Sequence, residues 1–342
     1  MDRIATVLEH APRCARPVDA FETIIGSSPA MLEAKSAARR LATCPRIPVL
    51  LQGETGVGKE VFAQALHRTS HDAGAPFVAI NCGALSPELL ASELFGYADG
   101  AFTGARRGGH EGKLSAADGG TLFLDEFGEM PKALQPQLLR ALESGEYQRV
   151  GENRTRVARF RLITATNCEL PKMVENGSFR RDLYYRAAVT TLTLPPLRER
   201  GQDIVALFRH LQKQVAAEYG LSRKPAAPDL NDALLNHLWP GNVRELKNVV
   251  IAASLTARGA QIRARDLPAL RTQATPASLD NVDQVEDLRT LERRAICDAL
   301  RAENGNLSGA ARALGLAKST LHAKLKRYGI TRESGAAHLS HA

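Results

Sequence analysis

The chain has 342 residues, 44% of them apolar, and a formal net charge of +8. That length allows roughly two or three domains and a sizeable core, and no run of about 18 apolar residues suggests a membrane span. Met1 to Ala20 carries Asp2, Glu9 and Asp19 and no continuous apolar stretch, unlike a secretory leader. Five scattered cysteines (Cys14, Cys44, Cys82, Cys168, Cys297) without a Cys-x-x-Cys pair argue against a disulfide framework or a zinc cluster. Reduced thiols in a cytoplasmic protein are expected.

Residues 1–22 read as a short flexible arm. From 23 to 192, short apolar runs alternate with amphipathic helical segments. Strands are expected at 47–51, 77–80, 121–124 and 160–165, with helices such as 60–67 and 132–143 between them. That alternation implies an α/β fold with a mainly parallel sheet between helices. Residues 193–270 keep only helical periodicity, with helices at 203–218 and within 241–257, and read as a small helical lid. Residues 271–288 are polar without a sustained period and read as a linker. A last helical cluster occupies 289–332, followed by a tail at 333–342.

The charge is uneven. Residues 289–332 hold ten Lys or Arg and three Asp or Glu, a local +7, so the basic character belongs to one small segment. That is the footprint of a nucleic-acid module. Within it, Asn306 suits a helix N-cap, Ala310, Ala311 and Leu314 form a narrow apolar stripe, and Gly315 permits a tight turn. In the next helix Leu321 and Leu325 face inward. Lys318, Ser319, Thr320, His322, Lys324 and Lys326 are the candidates for double-stranded DNA, since short polar side chains and cations suit base edges and phosphates in a major groove.

Gly53-Glu54-Thr55-Gly56-Val57-Gly58-Lys59 follows the first strand and precedes a helix. Glycines there let backbone amides point at phosphate oxygens, the lysine reaches the outer phosphates, and the helix N-terminus adds its dipole. ATP and Mg²⁺ are the implied ligands. The next residue is Glu60 and not Ser or Thr, so the usual hydroxyl ligand for Mg²⁺ is missing. Asp125 and Glu126 end a buried strand, an arrangement that suits a metal contact at Asp125 and a base orienting water at Glu126.

Between these halves lies Gly100-Ala101-Phe102-Thr103-Gly104-Ala105, uncharged, with Phe102 its one bulky residue. Phosphate chemistry has no use for it, which suggests a moving part. The stretch from Phe95 to Ala105 resembles the loop by which bacterial enhancer-binding proteins touch the sigma-54 factor of RNA polymerase. The resemblance covers about Phe21 to Ile330 and implies an AAA+ P-loop ATPase with a lid and a Fis-type helix-turn-helix. It also accounts for Glu60, which this family commonly carries. It assigns Asn81 as a switch for the catalytic glutamate, and Thr166 and Asn167 as sensors of the outer phosphate. Arg180 and Arg186 become arginine fingers entering a neighbour's site, and Arg244, in Trp239 to Leu246, becomes the lid's nucleotide sensor. It further implies a DNA-binding dimer helped by a helix at 291–304, and a ring, hexameric by resemblance.

The chain departs from the family at Ala187-Ala188, where a larger apolar residue is usual, so looser packing behind Arg186 is expected. Many members carry a regulatory domain of about a hundred residues or more before the ATPase. Here the expectation is no such domain, which leaves control by a separate protein in trans and a truncated form both open. The alternative function is a related AAA+ regulator or repressor that does not act on sigma-54, although such relatives tend to have lost the hexapeptide.

Overall fold

The computed structural model describes residues 19–70, 74–101, 108–221, 223–257, 259 and 261–267 and, towards the C-terminus, residues 296, 300, 306–313, 318, 321, 322, 324 and 325. The chain divides into two compact units, Met1–Ala274 and Thr275–Ala342. The first begins with α1 (Pro29–Ala42), β1 (Val49–Gln52), α2 (Lys59–Arg68), β2 (Phe77–Asn81), α3 (Pro87–Phe95), β3 (Gly96–Tyr97), β4 (His110–Glu111), α4 (Lys113–Ala116) and β5 (Thr121–Asp125). It continues through α5 (Gln135–Ser144), β6 (Glu146–Gln148), β7 (Thr155–Val157), β8 (Arg161–Thr166), α6 (Leu170–Glu175), α7 (Arg181–Ala187) and β9 (Thr190–Thr193). Three helices close it: α8 (Asp203–Tyr219), α9 (Pro228–Asn236) and α10 (Asn242–Thr256).

Five parallel strands form the main sheet in the order β2-β5-β8-β1-β9. Alternate side chains of each strand enter opposite cores, the consequence of a two-residue period covered on both faces. Leu50, Ile80, Leu122, Leu124 and Leu162 pack with Leu90 of α3, Leu138 of α5 and Leu183 of α7. Val49, Leu51, Phe123, Ile163 and Ala165 pack with Met31 of α1 and Phe62 and Leu66 of α2. Arg161, buried at the start of β8, donates from Nη1 to Leu66 O (3.1 Å) and from Nη2 to Leu41 O (2.9 Å). Its cation thus lies at the negative ends of α2 and α1. The register sets Asn81 level with Asp125 and Gln52 level with Thr166, so the chemical residues share the carboxyl edge of the sheet.

The four expected strands are present within a residue or two, and a fifth, β9, was not anticipated. Its Thr-Thr-Leu-Thr sequence holds one apolar residue, too little to signal a strand; its pairing with β1 makes it one. The antiparallel pairs β3-β4 and β6-β7, of two and three residues per strand, are likewise too short for a periodic signal. Helix α5 starts at Gln135 and not at 132, with a proline in its first turn, where a missing N–H costs nothing. The expected arm ends earlier than residue 22. Phe21 is fully buried and lies 6.0 Å from the Phe62 ring, and Asp19 pairs with Arg39 at 2.7 Å. Residues 1–18 lie outside the described residues.

The lid core gathers around Trp239 and Phe208. Trp239 is buried at a left-handed φ of 53°, and its indole Nε1 donates to Leu234 O (2.8 Å). In the second unit a helix spans Leu307–Ala313, and Asn306 caps it by accepting from Gly309 N (3.3 Å). Ile296, Leu300, Leu307, Ala310, Ala311, Leu321 and Leu325 form its buried cluster, with Leu321 and Leu325 facing inward as the sequence predicts. Leu314 and Gly315 lie outside the described residues.

Candidate functional site

The loop between β1 and α2 curls at Gly56 (φ 79°) and Gly58 (φ 104°), both left-handed conformations that favour glycine. Lys59 Nζ donates to the carbonyls of Gly53 (2.7 Å) and Glu54 (3.0 Å). Burial holds the Lys59 ammonium below its ordinary pKa; the Asp125 and Glu126 carboxylates oppose the shift and Arg244 adds to it. Among the described residues the amides of Gly56, Gly58, Lys59 and Glu60 have no protein acceptor. Free amides at a helix start beside a buried cation are a donor set for an anion.

A cleft of about 390 Å³ opens over this loop, lined by Gly58, Lys59, Asp125, Glu126, Asn167 and Arg244 among others. Asp125 accepts from Glu126 N through Oδ1 (3.0 Å), and Glu126 itself sits at φ 52°. The two carboxylates facing Lys59 fit a divalent cation shared with phosphate oxygens, without help from a hydroxyl at position 60. Glu126 rests over Gly83, where a Cβ would stand 2.5 Å from Oε2. Asn81 does not bond Glu126; its Oδ1 accepts from Gly83 N (2.8 Å) and so fixes the turn that the glutamate lies on.

Some expected contacts belong to the frame of the cleft. Thr166 is buried behind it, its carbonyl accepting from Gly53 N (3.2 Å) and its Oγ1 from Cys168 N (3.0 Å), whereas Asn167 lines it and donates to Thr55 Oγ1 (3.3 Å). Glu54 turns its carboxylate to Arg198 and Asn242, and the Val57 side chain is buried. Val243 and Lys247 line the cleft although the sequence reading missed them. A second, mostly apolar hollow of about 300 Å³ adjoins it at Gly58, Val61 and Val243, and is walled by Ile24, Ile25, Phe62 and Leu211. The pair Ile24-Ile25 was legible only as apolar residues before a glycine; the chain path brings it to the P-loop.

Arg180 and Arg186 are absent from the lining of this cleft. Arg180 makes a two-pronged pair with Asp182 (3.0 and 2.6 Å), and Arg186 donates twice to Leu142 O (3.2 and 2.7 Å), both exposed. Behind Arg186, Ala187 is buried in the core and Ala188 is partly buried against it.

The hexapeptide falls between β3 and β4. Gly100 and Ala101 are described; Phe102, Thr103, Gly104 and Ala105 lie outside the described residues. The base is held by backbone bonds from Ala98 N to Val150 O (3.0 Å) and from Val150 N to Gly96 O (2.9 Å), and by Arg149 Nη2 to Glu111 Oε1 (2.7 Å). In the second unit Lys318 and His322 are exposed and Lys324 is half-buried. Ser319, Thr320 and Lys326 lie outside the described residues.

Three family descriptions match consecutive parts of the chain: Sigma-54 interaction domain over residues 24–193, AAA+ ATPase lid domain over 198–283, and Bacterial regulatory protein, Fis family, over 287–328. The transcriptional regulatory protein ZraR of Klebsiella oxytoca is 42% identical over 323 residues, which is 94% of this chain and 72% of ZraR. The chain belongs to the sigma-54 activator family. A signal-transduction and transcriptional-control protein of Clostridium beijerinckii is also 42% identical, over 310 residues covering 91% of this chain, and the chain spans 49% of that relative's length. Among solved structures, NtrX of Brucella abortus in complex with ADP has a TM-score of 0.69 at 31% identity, over 90% of this chain and 69% of NtrX. The family's fold class is the one described above: an AAA+ parallel sheet, a helical lid and a helix-turn-helix domain. Among the described residues no helix is long and apolar enough to cross a membrane.

Proposed function

We propose that this chain is a sigma-54-dependent transcriptional activator that binds DNA upstream of a promoter, hydrolyses ATP in a ring of subunits and remodels the closed polymerase complex. One observation carries the reading. The Glu126 carboxylate rests on Gly83, three residues before Ser86, whose Oγ caps α3, and α3 runs into β3 and the hexapeptide. A change at the outer phosphate therefore has a short route to the loop: one contact from Glu126 to Gly83, then the chain itself.

NtrX has been solved with ADP and with ATP, and here the adenine seats in the apolar hollow and the phosphates over the P-loop amides and Lys59. Asp125 would hold Mg²⁺, which would supply charge neutralisation on the phosphate oxygens. Glu126 orients the attacking water, with Asn81 setting its resting place. Asn167, positioned by Thr166, and Arg244 read the nucleotide state. Arg180 and Arg186 serve the neighbouring subunit's site, where a planar, permanently charged guanidinium suits transition-state charge. Phe102 and Thr103 touch sigma-54, and residues 289–332 bind DNA as a dimer within a hexamer. The protein works in the cytoplasm.

The test is open-complex formation with purified sigma-54 holoenzyme, compared with sigma-70 holoenzyme. Melting only with sigma-54 and ATP is expected; hydrolysis without melting at either promoter overturns the activator reading.

A further inference from the structure

The P-loop is bonded to the lid directly, through side chains that do not face the phosphate cleft. Glu54 Oε1 and Oε2 accept from Arg198 Nη2 (2.6 Å) and Nη1 (2.9 Å), a two-pronged pair with the short 3-10 turn Leu197–Glu199 that leads into the lid. Oε2 also accepts from Asn242 Nδ2 (3.0 Å). Asn242 is fully buried at φ 51°, the first residue of α10; its Nδ2 also reaches Thr55 O (3.1 Å) and its Oδ1 accepts from Leu197 N (2.7 Å). Val243 N donates to Gly56 O (3.0 Å), and a Cβ on Gly56 would stand 2.4 Å from Gly241 O. From below, the buried Arg200 donates to Val57 O (2.8 Å) and Pro195 O. Residues 54–57 are thus tied at every position to the hinge or to the start of α10, the helix that carries Arg244.

The geometry points to Glu54 as a positioning residue: its carboxylate latches Arg198 and Asn242 so that nucleotide in the P-loop sets the angle at which α10 presents Arg244. A phosphate ligand in its place would have to be a donor, and a carboxylate beside phosphate oxygens repels them. Its two charged bonds run instead to the hinge. The pair with Arg198 is about two-fifths exposed on each side, so its contribution to overall stability is small; coupling is the use left to it. The Arg198 and Asn242 hydrogen bonds hold the Glu54 carboxyl below its ordinary pKa and keep the latch ionised.

This inference rests on the ATPase reading above, and its test separates the two. In the full chain, Glu54→Gln and Arg198→Gln are compared singly and together, measuring nucleotide affinity, ATP turnover and ADP-dependent hydrogen-exchange protection of α10. Each single change is expected to leave affinity within about threefold while turnover falls about tenfold, the cost of about 1.4 kcal/mol in positioning, and the protection of α10 by ADP is lost. The double variant is expected to lose less than the sum of the two single losses, since both changes cut the Glu54–Arg198 pair. Turnover unchanged in Glu54→Gln, affinity lost in step with turnover, or additive losses in the double variant would each overturn the latch alone. No turnover in the unaltered chain overturns the ATPase reading, and the latch falls with it.

Discussion

The nucleotide cleft and the base of the hexapeptide loop lie in one unit but are built from different materials. The cleft is walled by side chains: Lys59, Asp125, Glu126, Asn167 and Arg244 arrive from two strand ends, the P-loop helix and the lid. The loop base is made largely by backbone, with β3, β4 and Val150 exchanging main-chain bonds around glycines. Chemistry needs particular groups at particular points, whereas the lever proposed for the loop needs only a firm root. Substitutions in the two regions should therefore fail in different ways.

The sharpest division is expected from Glu126→Ala. ATP binding persists while turnover falls by about 10²–10⁴, the usual contribution of a positioned base, and a steady-state phosphate-release assay with a binding control reads it. Thr103→Ala reverses the pattern, with turnover retained and transcript from a sigma-54 promoter lost. Full activation by that variant would deny the loop its role. Removing residues 289–342 is expected to abolish site-specific DNA binding in a gel-shift assay while hydrolysis continues. Gly109→Ala attacks the root, since Gly109 sits at φ 73° and a Cβ would meet Tyr97 O at 2.5 Å. Strain of about 1–3 kcal/mol should lower activation several-fold, with turnover within about twofold.

The smallest effect concerns the lid. His237 Nδ1 accepts from Trp239 N (3.0 Å), and burial holds the imidazole below its ordinary pKa of 6.5, opposed by Glu245. The unfolded chain then binds more protons than the folded one as pH falls below that value, so stability is lost in that window. Thermal melts at pH 7.5 and 5.5 should show a smaller acid-induced drop in His237→Asn, which keeps an acceptor for Trp239 N and cannot be charged.

Most of the architecture was legible where a strand carries a run of apolar residues. Leu122-Phe123-Leu124 before Asp125-Glu126 announces both a buried strand and the carboxylates at its end, which line the cleft. β9 and the two hairpins were not, because Thr190–Thr193 and the two- and three-residue strands owe their form to partners distant in sequence. The same division holds in the site. Gly53 to Lys59 declares itself by local spacing, but the direction of Glu54 depends on Asn242, 188 positions away. Resemblance assigned Thr166 as a sensor, yet side chains alternate along a strand, and as the last residue of β8 it is buried.

Gly96 and Gly112 stand back to back at the root of the loop, so close that a Cβ on Gly112 would lie 2.3 Å from Gly96 N. The chain leaves and re-enters the domain through almost a single point. A segment hung from such a point can change length at little cost, since doubling a flexible loop adds only about 0.6 kcal/mol of closure entropy. On the function proposed above, an epitope or a fluorophore could be grafted between these two glycines, or the tip exchanged for one that grips another partner, with the engine behind it left as it is.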